Sequence, residues 1–460
     1  MAERKLIRGG WILTLDSHLG ELQGGDLLIE GSQIAALGRE LPADGAEVIQ
    51  AEGMIVLPGF VDTHRHTWQS LARAAGVDWT LAAYFQAVRG MLGETYRPQD
   101  LYTANLLGIV EALDSGITTM LDWSHLINSP EHADAAVAGL QASGARAVFA
   151  YGNANAEWGN LPNPTFTSED IRRVRSEHFA SSDQLVTMAL AARGPQFSTI
   201  EATEFDWRLA RELGLRITTH VGDGLWGIRS RPIQQLHDRG LLGPDTTYVH
   251  CNTLSSQELR WIADSGGSAS LSPEIEMNMG HGFPATGKLL GVGVRPSLSI
   301  DVVTTVVGNM FGVMRAALSA ERALNHQKTL DAGIDPTELW LSAADVLAFA
   351  TLEGARALGL EAKIGSLTPG KQADVIVVDT SGPHMFPLND AVNAVVAFAQ
   401  PHDVRTVLVG GRVVKREGRL VDIDMARLRA DAEAARDYLF QQSGVTLGED
   451  WFETVQPQLT

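Results

Sequence analysis

Cysteine is all but missing from this chain. Cys251 is the single one in 460 residues, so no disulfide can close within the chain and a reducing compartment is its natural home. Basic residues are scarce as well: 36 Lys and Arg stand against 55 Asp and Glu, a net charge of −19 that repels phosphate backbones and anionic membranes. Nucleic acid and lipid are therefore excluded as expected partners, a small-molecule substrate is retained, and homo-oligomerisation stays open. No uninterrupted run of roughly 18 apolar residues occurs, so no transmembrane helix is expected. Residues 1–10 carry Lys5 and Arg8 but no apolar stretch, and the expectation is a cytoplasmic protein. Lysine is absent altogether between Lys5 and Lys288. Repeats of solenoid period and low-complexity tracts are lacking too.

What is present describes a globular protein with a large core. Hydrophobic residues make up 45% and charged ones 20%, which argues against disorder. The length exceeds one ordinary domain but fits a large barrel with an appendage. Short β patterns open the chain, at Leu6 to Leu15, Asp26 to Ile29 and Gln33 to Leu37, separated by Gly24-Gly25 and Gly31-Ser32. The same texture returns at Ala373 to Val378, Thr406 to Val409 and Arg412 to Val414, so one β domain built from both ends is expected. Between them, apolar runs alternate with helical stretches such as Leu101 to Asp114, Asp206 to Leu213, Ser256 to Asp264 and Ser342 to Ala357. That is the texture of a parallel α/β fold. Eight candidate strands end near His64, Asp122, Tyr151, Arg193, His220, His250, Leu271 and Asp301. Expected boundaries are 1–57 with 361–423 for the β domain, 58–360 for the barrel and 424–460 for a helical cover.

The most informative stretch is Pro58-Gly59-Phe60-Val61-Asp62-Thr63-His64-Arg65-His66. Residues two apart on a strand share a face, so His64 and His66 converge on one point. With 13 His in 460 residues, chance alone gives roughly 0.4 such pairs, and the pair by itself is weak evidence. The case rests on its companions: His220 follows Ile217-Thr218-Thr219, His250 follows Tyr248-Val249, and Asp301 follows Leu298-Ser299-Ile300. All sit at strand ends, where barrel enzymes keep their chemistry. Neutral imidazoles with one carboxylate suit a divalent ion, Zn²⁺ first, with Fe²⁺, Mn²⁺ or Co²⁺ as alternatives, and leave room for water.

Three segments carry a family resemblance: Leu57 through His66, Gly365-Ser366-Leu367-Thr368-Pro369-Gly370-Lys371-Gln372-Ala373-Asp374, and Ser272-Pro273-Glu274-Ile275-Glu276-Met277-Asn278-Met279-Gly280-His281-Gly282. On these the chain resembles the amidohydrolase superfamily, in its cytosine deaminase-like branch of adenosine-type and guanine deaminases and triazine hydrolases. The resemblance implies a (β/α)8 TIM-like barrel with a small β-sandwich domain. It also implies His64, His66, His220 and Asp301 as metal ligands, with His250 holding the attacking water or the substrate. Some superfamily members bridge two metals through a carboxylated lysine on strand four. The lysine-free interval excludes that arrangement, so one ion per chain is expected.

A bound ion lowers the pKa of water toward neutrality. Asp301 could then accept a proton while His250 stabilises developing charge. Relatives usually carry a Glu three residues after the strand-five His to protonate the leaving nitrogen. Here His220-Val221-Gly222-Asp223 holds Asp223, whose carboxyl is shorter by about 1.5 Å. It is either a proton shuttle or a turn residue. Glu276 stands where Asn is commoner in the family, with Glu274 and His281 nearby; these are substrate contacts or ordinary loop groups. His125 opens into the barrel mouth by register. Trp68, Trp79, Trp123 and Trp226 follow strands and could stack on a flat ring, with Trp68 the favoured contact. The reading is a metal-dependent hydrolase of a C–N bond, deaminating an amino-substituted N-heterocycle. Alternatives are an amide, urea, carbamate or halo-heterocycle hydrolase, or a non-catalytic scaffold of the same fold.

Overall fold

The computed structural model describes residues 3–153 and 164–446. Eight parallel strands follow one another in chain order around a barrel: Phe60–Arg65, Ile117–Ile127, Arg146–Asn153, Val186–Ala191, Arg216–Val221, Thr246–His250, Ser268–Leu271 and Ser297–Leu298. Nearly every position in them is buried, as helices outside and side chains inside require. The ring closes between the first and eighth strands, where Asp301 N donates to His64 O and His66 N to Asp301 O, each at 2.9 Å. The eighth strand is short, and hydroxyls reinforce the seam. Thr63 Oγ1 lies 2.7 Å from Ser270 Oγ and 2.9 Å from Ser297 Oγ, and Ser270 Oγ donates to Ser299 Oγ at 2.9 Å.

Ser270 is on the seventh strand, which does not neighbour the first, so Thr63 reaches it through the barrel interior. Val61 lies in the interior cluster with Leu121, Val148 and Ala189. Odd-numbered residues of the first strand thus point inward at this depth. A bulge then reverses the alternation: Asp62 pairs with Met120 but Arg65 with Asp122, one residue too many on the first strand. Past it, the even-numbered His64 and His66 face the mouth. At the opposite end, the helix Leu352–Ala357 plugs the barrel, with Ala355 in the same cluster and Gly354 so close that a Cβ there would stand 2.8 Å from Val61 Cβ.

The expected helices are present as Pro98–Asp114, Ile200–Glu212 and Ser256–Ser265. The fourth, expected as one helix over Ser342 to Ala357, is two: Ala343–Phe349 and Leu352–Ala357. Thr351, at φ −133° and ψ −86°, breaks it, and its hydroxyl donates to Leu347 O at 2.7 Å. Both ends of the chain build one nine-stranded mixed sheet, joined where Ile55–Pro58 runs antiparallel to Val375–Val378. Its own core includes Ile7, Ile12, Leu27, Ile29, Val56, Val375 and Leu408. A buried ion pair rivets sheet to barrel, with Arg146 Nε and Nη2 donating to Asp374 at 2.8 and 3.0 Å. The helix Met425–Ser443 packs on Pro98–Asp114, and Arg97 lies 3.5 Å over the Tyr438 ring. Residues 447–460 of the expected cover lie outside the described residues. Among the described residues, no helix is long and apolar enough to cross a membrane.

Candidate metal centre and active site

Three strand ends deliver the predicted ligands to one place. The ring centroids of His64 stand 4.7 Å from His66 and 4.8 Å from His220, and His64 Nε2 and His66 Nε2 lie 3.3 and 3.4 Å from Asp301 Oδ1. Backbone strain helps aim the set, since His250 (φ 77°) and Asp301 (φ 65°) sit in the left-handed region that costs such residues about 1–3 kcal/mol. His66 Nδ1 is 3.0 Å from Trp123 O, which can only accept, so the proton is on Nδ1 and the Nε2 lone pair faces the cluster.

These residues fit a divalent cation. Nδ1 of His64 and Nδ1 of His220 are buried without hydrogen-bond partners, and His64 Nε2 meets only Asp301, at 3.3 Å; leaving such groups unsatisfied costs about 1–3 kcal/mol each unless an ion takes a lone pair. Burial, with its imidazole neighbours, holds His66 and His220 well below the ordinary histidine range, and burial lowers His64 despite Asp301. Burial pushes Asp301 up, but the hydrogen bond and charge of His64 outweigh it and keep the carboxylate ionised. Neutral imidazoles around one negative oxygen are what a metal ion needs.

His250 lies alongside, its Nε2 3.8 Å from both Asp301 Oδ2 and Asp223 Oδ1. Burial pulls its pKa down, yet Asp223, the Glu276 hydrogen bond and Asp301 raise it to about 9. Glu276 is not a cavity residue: it is fully buried behind His250, 3.3 Å from Nδ1, and accepts Ser272 N at 2.8 Å. Its carboxylate meets the imidazole at Nδ1, and it is not among the residues that line the cavity. Glu274 also stands aside, against the helix Met310–Asp331, where a Cβ on Gly312 would be 3.1 Å from its carboxylate. Trp68 reaches the cavity only through His125, donating from Nε1 to His125 Nδ1 at 3.1 Å. That bond leaves a neutral His125 with its proton on Nε2.

Asp223 occupies the N-cap position of the helix Gly224–Ser230 but caps nothing. It forgoes about 1 kcal/mol of capping and turns toward the cavity, where Oδ1 accepts from His281 Nδ1 at 3.1 Å and Oδ2 from Gln196 Nε2 at 2.7 Å. Burial would raise its pKa, but His250 and His281 hold it below the usual value. The cavity is lined by His66, His125, His220, Asp223, His250, His281 and Asp301, with Tyr84, Phe85, Phe197 and Met279 among its apolar walls.

Of the other tryptophans, Trp123 is buried with its ring centroid 4.4 Å from His220, Trp79 is buried, and Trp226 stands at the rim against Phe85 and Phe197, at 5.2 and 5.6 Å. Sequence reasoning missed Tyr84, Phe85, Phe197 and Gln196. The first two lie in a long connection without periodic signal. Gln196 follows strand four, and a polar residue just past a barrel strand was the available clue.

A model of the amidohydrolase family matches residues 55–414. The chain belongs to the amidohydrolase family. This amidohydrolase is accordingly a metal-dependent hydrolase of C–N bonds. It is 30% identical over 442 residues to the 5'-deoxyadenosine deaminase of Methanothermobacter thermautotrophicus, covering 94% of this chain and 98% of that protein. It is 29% identical over 428 residues to the 5-methylthioadenosine/S-adenosylhomocysteine deaminase of Symbiobacterium thermophilum, covering 90% and 93%. Among solved structures it resembles an adenosine deaminase from Xanthomonas campestris with bound zinc, at TM-score 0.80 and 25% identity over 95% of this chain and 98% of that one. The atrazine chlorohydrolase of Arthrobacter aurescens, at TM-score 0.82 and 23% identity over 94% and 99%, shares the fold.

Proposed function

We propose that this amidohydrolase deaminates an amino-substituted N-heterocycle, using one divalent ion, Zn²⁺ first, held by His64, His66, His220 and Asp301. The observation that carries the reading is the convergence of three imidazoles, two of them with orphaned nitrogens, and one ionised carboxylate on a cavity walled by flat aromatic rings. The deaminase names of the relatives support the reaction, and the adenine ring of 5'-deoxyadenosine-type nucleosides is the first substrate class to test.

The bound ion supplies Lewis acidity that brings water toward deprotonation near neutral pH. Asp301 accepts a proton from the attacking water. His250, cationic between Asp223, Glu276 and Asp301, stabilises the charge that develops as the ring carbon becomes tetrahedral. His125, on the cavity wall, contacts the heterocycle. Phe85 and Phe197 exclude water and pack on the faces of the heterocycle. Asp223 and its partners serve the departing nitrogen.

The test is ammonia release by zinc-loaded protein from aminopurine nucleosides, aminopyrimidines and aminotriazines, with elemental analysis alongside. One ion per chain and turnover of at least one class are expected, and His220→Ala should lose both ion and turnover. Two ions per chain, or full metal loading without ammonia from any of the three classes, contradicts the reading.

A further inference from the structure

Both oxygens of Asp223 already hold donors, from Gln196 and His281. The segment after strand seven brings a second proton-carrying group to the same point. His281 sits between Gly280 (φ 89°) and Gly282 (φ 125°), backbones that favour glycine, and its carbonyl accepts Gly224 N at 3.0 Å, tying its loop to that of Asp223. The imidazole is 3% exposed, lines the cavity, and stands 4.6 Å from the His250 ring. Its Nδ1 faces the Asp223 carboxylate, which can only accept, so Nδ1 carries a proton. Its Nε2 is buried with no hydrogen-bond partner. A carboxylate fixing one edge of an imidazole while the other edge opens on the reaction space is the arrangement of a general acid–base histidine with its orienting group.

We infer that His281 carries the proton to the leaving nitrogen, with Asp223 orienting it and stabilising its cationic form. This rests on the deaminase reading above. Asp301 takes one proton of the attacking water as the C–O bond forms, and His281 Nε2 takes the other from the hydroxyl of the tetrahedral adduct. The imidazolium, held by Asp223, delivers that proton to the amino nitrogen as the C–N bond breaks and ammonia leaves. The proton on Asp301 passes to the ring nitrogen of the oxo product, and no electrons change hands. Gln196 is a positioning residue in this relay. Its Oε1 accepts Gly222 N at 2.7 Å and Asp223 N at 3.2 Å, while its Nε2 holds Asp223 Oδ2 away from the helix.

The experiment compares His281→Ala and His281→Gln with wild type on one heterocycle carrying either an amino or a chloro leaving group, with and without added imidazole. A halide departs without protonation, so a proton carrier matters only for the amine. We expect kcat/KM to fall at least about 100-fold on the amino substrate and less than about threefold on the chloro analogue, at unchanged metal content and nearly unchanged KM. Imidazole should restore at least about tenfold to His281→Ala on the amino substrate alone, the small base entering the space vacated. Equal losses on both substrates without an imidazole response overturn the inference, as does full activity in either variant. Where wild type leaves the chloro analogue untouched, imidazole rescue decides by itself. Failure of wild type to release ammonia from any amine refutes the deaminase reading instead, a result distinct from these.

Discussion

Replacing Asp223 by Asn keeps size and shape but turns one acceptor into a donor, and the surroundings dictate which one. Gln196 cannot flip to accommodate the change, because its Oε1 holds two backbone N–H groups, at 2.7 and 3.2 Å. Its Nε2 therefore still donates toward the position of Oδ2, and the new side-chain oxygen must sit there. The new NH₂ then faces His281 Nδ1 across the present 3.1 Å contact, donor against donor. Relief requires the imidazole proton to move to Nε2, which closes the lone pair that opens on the cavity. The same Asp→Asn change beside the histidine of a serine protease fixes the wrong tautomer and costs about 10⁴-fold in turnover. A fall of about 10³- to 10⁴-fold is expected for Asp223→Asn, with metal retained and stability lowered by no more than about 2 kcal/mol. The double variant Gln196→Glu with Asp223→Asn restores an acceptor opposite the amide and lets its oxygen face His281. It should recover at least about tenfold over the single variant. Steady-state ammonia release, elemental analysis and thermal unfolding of the three proteins check this. A single variant retaining more than a tenth of wild-type turnover, or a double variant no better than the single, refutes the reasoning.

Two further outcomes concern stability. Asp374→Ala leaves the buried Arg146 guanidinium unpaired and Gly410 N without its 2.7 Å acceptor, so urea unfolding should show a loss of about 3–5 kcal/mol; a loss below about 1 kcal/mol would sink the view that this pair rivets sheet to barrel. In metal-free protein, the pKa of His250 is raised from 6.5 to about 9, so its stabilising contribution is complete below pH 6.5 and disappears as pH rises through 9. At 1.36 kcal/mol per unit this is about 3 kcal/mol across that window. Chemical denaturation of wild type and His250→Gln at pH 6 and 9.5 reads it, and an equal pH dependence in both proteins would contradict the assignment.

The sequence by itself determined the barrel, its strand order and its metal chemistry. Period-two apolar runs ending in His64, His220, His250 and Asp301 name the strands and put chemistry-bearing residues at their ends, because burial along a strand and function at its end are both local properties. The interval without lysine likewise needed no coordinates to exclude a carboxylated lysine bridge. Roles set by contact were another matter. Glu274, Glu276 and His281 lie within eight residues after strand seven, the first two on the short helix Pro273–Met279 and the third just past its end, yet they part company: the first faces a helix, the second props His250 from behind and the third opens on the cavity. Which side of so short a helix meets the cavity is set by how the barrel seats it, so nothing local sorts them.

Tertiary structure also decided which face of the first strand turns His64 and His66 to the barrel mouth. The extra residue between Asp62 and Arg65 is visible only against Met120 and Asp122 of the neighbouring strand, and without it His64 and His66 would follow the wrong alternation. Asp223 shows the same limit. A Gly-Asp-Gly sequence permits a helix cap as readily as a carboxylate turned into the cavity, and the choice falls to Gln196 and His281, 27 and 58 residues away in the chain, whose hydrogen bonds together outweigh the cap. Hydrogen bonds between residues so far apart exist only once the barrel has closed and brought its loops to a common rim.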